Sequence, residues 1–243
     1  MTEGPQLTGE RTAPGVASEN YWFRRHVAAY RAAASLVRGV VVDAGCGEGY
    51  GTAILAGRAR RVVGVDLDDP TLTHAQGRYP GAAFVRADLA RMPVDAVDGI
   101  VSLQVLEHLH DADGFAAGCA RVLRPGGALV LSTPNRVTFP AGINPFHVHE
   151  FDPAELAALL SRHFTRVRLL GLMHGPRLRA LDRVLGEPVQ HRLVRTPYED
   201  LPGALRAVLR TVTARSFVLD SDADRALDLF AVCRHADRRS IQT

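Results

Sequence analysis

The chain contains no lysine, so all 29 of its basic residues other than histidine are arginines. A formal net charge of +3 and a pI near 9.0 make it only mildly basic. The arginines are scattered and lack the interleaved aromatics of a single-strand nucleic-acid binder, so no nucleic-acid partner is expected. Heavy use of Arg, Ala, Gly and Val reads as a compositional bias of the coding sequence. Cysteine is scarce. Cys46, Cys119 and Cys233 lie far apart, without C-x-x-C spacing, which excludes a disulfide framework and a zinc knuckle and points to a reducing cytosol. No apolar run approaches the ~20 residues that span a bilayer. The start, Met-Thr-Glu-Gly-Pro-Gln, has neither a basic segment nor an apolar one, so no signal peptide is expected there. A cytoplasmic protein is the expectation.

What is present is enough for one large domain: 243 residues, 47% of them hydrophobic. Residues 1–17 are polar and read as an arm. Ser18 is placed to cap a helix over about 19–37, opened by Tyr21, Trp22 and Phe23. Strands are expected at 40–43, 61–66, 83–86, 99–103, 128–132, 166–172 and 227–234. Helices at about 50–58, 70–78, 112–123 and 154–163 separate most of them, and Pro-Gly-Gly at 125–127 reads as a turn. This alternation predicts a mostly parallel α/β sheet covered on both faces. Ligands then sit beyond the carboxyl ends of the strands, at the topological switch point. That gathers Asp43, Asp66, Asp88 and Gln104 around one crevice.

The densest signal is Val40-Val-Val-Asp-Ala-Gly-Cys-Gly-Glu-Gly-Tyr-Gly51. Three β-branched residues suit a strand buried on both faces. Gly45, Gly47 and Gly49 permit a tight turn and close approach of a ligand, at the start of a helix. A dinucleotide loop offers bare N–H groups to pyrophosphate, where the carboxylate of Asp43 would be out of place. Tyr50 also occupies the position of that fingerprint's third glycine. Asp43 therefore suits a ligand with an amino group and no phosphate. Asp66 ends the next strand and can accept from two ribose hydroxyls, a feature that NAD sites share.

The ordered set Asp43, Gly45, Gly47, Asp66, Asp88, Leu-Glu-His at 106–108 and Leu-Arg-Pro-Gly-Gly at 123–127 resembles the class I S-adenosylmethionine (SAM) dependent methyltransferases. The resemblance covers about residues 36–173 and the last strand. It implies a Rossmann-like, seven-stranded, mostly parallel sheet with helices on both faces. In the division it implies, 1–38 form an arm and lid helix, 39–174 the SAM-binding core, 175–222 a helical insertion and 223–243 the last strand and tail. By the same resemblance Gly45, Cys46 and Gly47 cradle the methionine half of SAM. Asp66 and Leu67 lie at the ribose, Asp88 and Leu89 at the adenine, and Gln104, a further cofactor contact, faces the methyl end of the pocket. Trp22 or Phe23 is placed to cover the sulfonium, with Trp22 the chosen candidate; alternatively these aromatics are an ordinary core staple. Arg24, Arg25 or His26 is placed to meet the cofactor carboxylate, with Arg25 the chosen candidate.

Two clusters can handle the acceptor proton. Glu107 and His108 follow the fourth strand; they brace the pocket, act as a base, or hold Mg²⁺ or another divalent cation, as the resemblance to ubiquinone-type O-methyltransferases implies. In the loop after the fifth strand, His147 and His149 would share one side of an extended segment as bases or ligands; alternatively, one packs and the other is solvated. Pro140, Gly142 and Pro145 suggest fixed bends around one flexible point. Within 175–222, Leu178, Leu181, Val184 and Leu185 line one helical face, and Leu201, Leu205, Val208, Leu209 and Val212 another. The insertion reads as a surface helical pair, an acceptor cap or a homodimer contact.

The opening Leu7–Val16 and Glu19–His26 resemble actinobacterial methyltransferases linked to polymethylated polysaccharides. A saccharide hydroxyl is accordingly the expected acceptor, on a small molecule or an oligosaccharide. A quinone or other small-molecule O-methyltransferase is the nearest alternative. A SAM-binding module without turnover and an NAD-dependent oxidoreductase belong to other classes.

Overall fold

A computed structural model describes residues 12, 14–89, 94, 96–139 and 144–235. Eight strands form one sheet: β1 (Val40–Ala44), β2 (Arg61–Asp66), β3 (Ala83–Arg86), β4 (Val97–Leu103), β5 (Leu123–Pro134), β6 (Arg166–His174), β7 (Phe217–Asp220) and β8 (Asp228–Arg234). Their order is β3-β2-β1-β4-β5-β8-β6-β7. The ladders from β3 to β5 are parallel, and β8 enters antiparallel between β5 and β6. β7 is an antiparallel edge strand inside the segment expected to be wholly helical, which raises the count from seven to eight. The chain order reverses between β1 and β4, so the loops after those two strands open onto one crevice.

The helices are α1 (Asn20–Leu36), α2 (Tyr50–Ala56), α3 (Asp69–Arg78), α4 (Ala112–Val122), α5 (Pro153–Ser161), α6 (Pro176–Leu185), α7 (Val189–Arg195) and α8 (Gly203–Arg210). Two apolar clusters cover the sheet. One packs Phe115, Cys119, Leu156 and Leu160 against Ile100, Leu129 and Leu131. The other packs Tyr30 and Ala33 of α1 and Val37 just beyond it, with Leu178, Leu205 and Leu209, against Val41, Val101 and Val130. Inward and outward residues alternate along each strand, so a strand covered on both faces is apolar throughout. The three cysteines are buried and unpaired.

Several local expectations change. Glu19, not Ser18, is the N-cap of α1, and its side chain makes no capping bond. Residues 125–127 do not separate helix from strand by a simple turn. Leu123 already pairs with Val97, and the ladder resumes at Ala128 opposite Gly99, so the glycines sit in a bulge within β5. Val184 is 83% exposed, while Leu178 on the same helix is buried. α1 is fastened to the segment beyond β6 by a buried relay. Tyr21 Oη donates to His174 Nε2 (2.7 Å), whose Nδ1–H donates to Asp182 (2.6 Å). No described helix is long and apolar enough to cross a membrane.

Candidate active site

The loop after β1 is shaped by left-handed backbone. Gly45 has φ +78°, and a Cβ there would lie 2.3 Å from Val105 Cγ2. Its N–H and that of Cys46 donate back to Val65 O, folding the loop over the end of β2. Asp66 helps to hold it. Its Oδ2 accepts from Gly47 N (2.8 Å), and its Oδ1 accepts from Leu67 N (2.8 Å) and Asp68 N (3.2 Å).

Beside this loop lies a cleft of about 330 Å³. Gly45, Cys46, Gly47, Asp66, Leu67, Asp88, Leu89 and Gln104 are among the residues that line it. Tyr30, Tyr50, Glu48, Val105 and Leu109 line it too, without having been singled out as pocket residues. Tyr50 could have been found, because it begins α2 directly after the glycines.

Three expected cofactor contacts are placed elsewhere. Asp43 does not line the cleft; it is fully buried beneath the loop. Thr52 Oγ1 donates to one of its oxygens (2.6 Å) and Tyr30 Oη to the other (3.1 Å). Burial pushes its pKa up to about 7 despite both donors. Trp22 and Arg25 face a second cleft instead. The Arg25 guanidinium is engaged by Asp228 through both terminal and Nε donors (Nε to Oδ2, 2.6 Å) and by Gln190 Oε1 (2.9 Å). That pairing removes Arg25 as a ligand for a cofactor carboxylate.

The second cleft, about 540 Å³, is walled by Trp22, Phe139, Phe146, Leu193 and Val194, with Glu19, Asn144 and His147 among them. Thr12, His26, Gln104 and His108 line both clefts, so the two meet there. Among the described residues, Gln104 is the non-glycine one with positive φ, +57°, a strained conformation at the end of β4. Its N–H donates to Ser132 O (2.9 Å) and its side chain to Ser132 Oγ (3.2 Å), which holds it there.

Leu106–His108 is a single 3-10 turn directly after β4. His108 Nδ1 lies 3.0 Å from Phe146 O. A carbonyl only accepts, so Nδ1 carries the proton and Nε2 is the basic nitrogen of the neutral ring. Glu107 is buried; Oε2 accepts from Thr133 Oγ1 (3.0 Å), and Oε1 has no hydrogen-bond partner. Burial raises its pKa to about 8, so at neutral pH it is a proton donor and not a base.

The two loop histidines part company. His147 donates from Nδ1 to Glu150 (2.8 Å) and accepts at Nε2 from Asn144 (2.9 Å), inside the second cleft. His149 lines neither cleft; it packs edge-on against Phe151 and faces Glu155 at 3.5 Å. The segment is not extended as expected. The N–H groups of Val148 and His149 both donate to Glu107 O, a turn that sends the rings in different directions. Pro140 and Gly142 lie outside the described residues.

Comparisons with known proteins agree with this fold. A family model described as "Methyltransferase domain" matches residues 42–131. A "probable S-adenosylmethionine-dependent methyltransferase" of Mycobacterium tuberculosis is 42% identical over 93% of this chain and 88% of its own length. One of the same description from Mycolicibacterium smegmatis is 43% identical over 93% of each chain. The chain belongs to the SAM-dependent methyltransferases.

A ubiquinone biosynthesis O-methyltransferase of Hahella chejuensis is 30% identical over 61% of this chain and 71% of that one. Among solved structures, a SAM-dependent methyltransferase of Thermotoga maritima has 16% identity and a TM-score of 0.60, covering 88% of this chain and 93% of that one. One from Mesorhizobium loti has 20% identity and a TM-score of 0.56, covering 91% and 99%. These two show the fold alone. The chain is thus a class I methyltransferase enzyme with SAM as its cofactor, and the readings as an NAD-dependent oxidoreductase and a module without turnover are set aside.

Proposed function

We propose that this methyltransferase transfers the methyl group to a hydroxyl oxygen, and that the acceptor is a saccharide. The junction of the two clefts carries this reading: it holds a basic imidazole nitrogen, His108 Nε2, between a cofactor-sized and an acceptor-sized space. Methyl transfer from a sulfonium is an in-line displacement, so alignment and exclusion of water supply much of the acceleration. An alkyl hydroxyl is a poor nucleophile and needs its proton removed; carbon and phenolate acceptors need less help. The second cleft alternates the aromatic faces of Trp22, Phe139 and Phe146 with Glu19, Asn144 and His147. That mixture suits a sugar, which offers C–H faces and hydroxyl edges.

In this scheme Gly45, Cys46 and Gly47 face the methionine half of SAM. Asp66 accepts from the ribose, while Asp88 and Leu89 meet the adenine. Asp43 supports the loop from beneath through Thr52 and Tyr30. His147, oriented by Glu150 and Asn144, binds the acceptor. Leu193 and Val194 of α7 reach the second cleft, which supports the insertion as an acceptor cap.

A quinol acceptor is the alternative closest in chemistry, supported by the match to the ubiquinone enzyme. The decisive experiment is a labelled-methyl assay against oligosaccharides, quinols and small phenols. Transfer to a sugar hydroxyl supports the proposal, and turnover confined to quinols or phenols refutes the saccharide reading.

One observation favours a metal as well. Possible ligand atoms of Glu107, His108 and His147 lie within 4.8 Å of one another, and Glu107 Oε1 is buried without a partner. Two imidazoles and one carboxylate fit a transition metal better than Mg²⁺, which prefers oxygen. A bound ion would supply Lewis acidity to the hydroxyl. Loss of activity in EDTA, restored by Mn²⁺ or Zn²⁺, would support this; activity indifferent to EDTA would leave His108 as the base.

A further inference from the structure

Four residues line both clefts, and two of them are histidines: His108 and His26. His26 stands on α1, across the junction from the loop after β4. Its Nδ1 lies 3.0 Å from Tyr50 Oη, and Tyr50 Oη lies 3.1 Å from Thr12 Oγ1. Burial and the neighbouring Arg25 guanidinium push its pKa down to about 4, so the ring is neutral. A neutral ring suits a site that must admit a sulfonium.

A neutral imidazole has one N–H, and the chain Thr12–Tyr50–His26 can run in two directions. If Nδ1–H donates to Tyr50, then Nε2 of His26 is a second lone pair at the junction, alongside that of His108. A hydroxyl has only one proton, so one lone pair would face it unsatisfied. If Thr12 donates to Tyr50 and Tyr50 to Nδ1, then Nε2 carries the proton. The two imidazoles are then complementary, one accepting and one donating.

We propose that His26 determines acceptor specificity by donating an Nε2–H hydrogen bond to the acceptor oxygen, with Tyr50 and Thr12 fixing the tautomer. This rests on the reading of a hydroxyl acceptor with His108 as its base. The hydroxyl oxygen has two lone pairs: one attacks the methyl carbon and the other accepts from His26. As the O–C bond forms and the S–C bond breaks, the S–C electron pair goes to sulfur. The hydroxyl proton goes to His108 Nε2, and the His26 proton stays in place. An amine in the same position has a single lone pair, which attack consumes, and leaves the His26 donor unsatisfied. The site therefore selects a hydroxyl over its amino isostere.

The test has two arms on the full chain. In the first, ¹⁵N NMR reads the His26 ring. The expected result is a neutral Nε2–H tautomer at pH 6, altered in Tyr50→Phe. An Nδ1–H tautomer or an imidazolium overturns the proposal whatever the acceptor is. In the second, His26→Ala, His26→Gln and Tyr50→Phe are assayed on the best hydroxyl acceptor and on its amino analogue. The alanine variant should lose about 10–100-fold in kcat/KM on the hydroxyl and discriminate poorly against the amine. The glutamine variant, which can place an N–H near the position of Nε2, should recover part of both. SAM affinity by calorimetry should stay within about 3-fold. Alanine activity within about 2-fold of wild type overturns the proposal, as does a loss confined to SAM affinity. If the wild type methylates no hydroxyl at all, the functional reading fails, while the NMR arm still judges the His26 proton.

Discussion

Replacing Arg25 with Met is expected to destabilise the protein without weakening SAM binding. The guanidinium and Asp228 are 3% and 2% exposed, and Arg25 uses three donors on Asp228 and Gln190. Methionine roughly fills the volume but leaves the Asp228 carboxylate buried without its counter-ion. Breaking one side of such a pair costs about 3–5 kcal/mol, because the remaining charge has neither water nor a partner. Against a typical total of about 5–15 kcal/mol, that is a large share. Urea denaturation should show a lower midpoint with an unchanged slope. Asp228→Asn should also destabilise, while the double variant Arg25→Met/Asp228→Leu should regain most of the loss, since a matched apolar pair needs no desolvation of charge. Calorimetric SAM affinity in the single variants should match wild type. A destabilisation below about 1 kcal/mol, combined with a tenfold fall in SAM affinity, would refute this account and return Arg25 to the cofactor carboxylate.

Three further outcomes follow from the site. Asp43 has a pKa raised from 3.8 to about 7, so the native state holds a proton that the unfolded chain has released; stability from this group is full below pH 4 and falls as pH rises to about 7. Asp43→Asn should therefore gain stability over wild type across that window, by up to about 4 kcal/mol, and thermal melts giving parallel curves would contradict it. Gly45→Val should abolish SAM-induced thermal stabilisation, because the left-handed φ and the close Val105 methyl leave no place for a side chain. His108→Ala should cut turnover by about 10²–10⁴-fold while SAM still raises the melting temperature; single-turnover assays near wild-type rate would remove His108 as the base.

Much of the lining of the first cleft was legible in the chain because its signals are local. Val40–Val42, the glycines at 45, 47 and 49, and the acids ending β2 and following β3 each specify a strand, a turn or a point on the cleft wall through their own few neighbours. Strand positions followed for the same reason: runs of β-branched residues read identically wherever the strand lies in the sheet. β7 escaped notice because it is an edge strand of four residues, directly after a 3-10 turn.

The acceptor side depended on tertiary structure. Arg25 and Asp228 lie 203 positions apart, and nothing near either one announces the other. Which of Arg24, Arg25 and His26 turns inward depends on how α1 is rotated by its packing on the sheet and by Tyr21 and His174. His147 and His149 look equivalent in sequence; two bonds to one carbonyl, Glu107 O, separate them. Those facts require elements distant in the chain to be placed together. A sequence encodes such placement only through the summed packing of the core, whereas a turn or a strand is specified by its own residues.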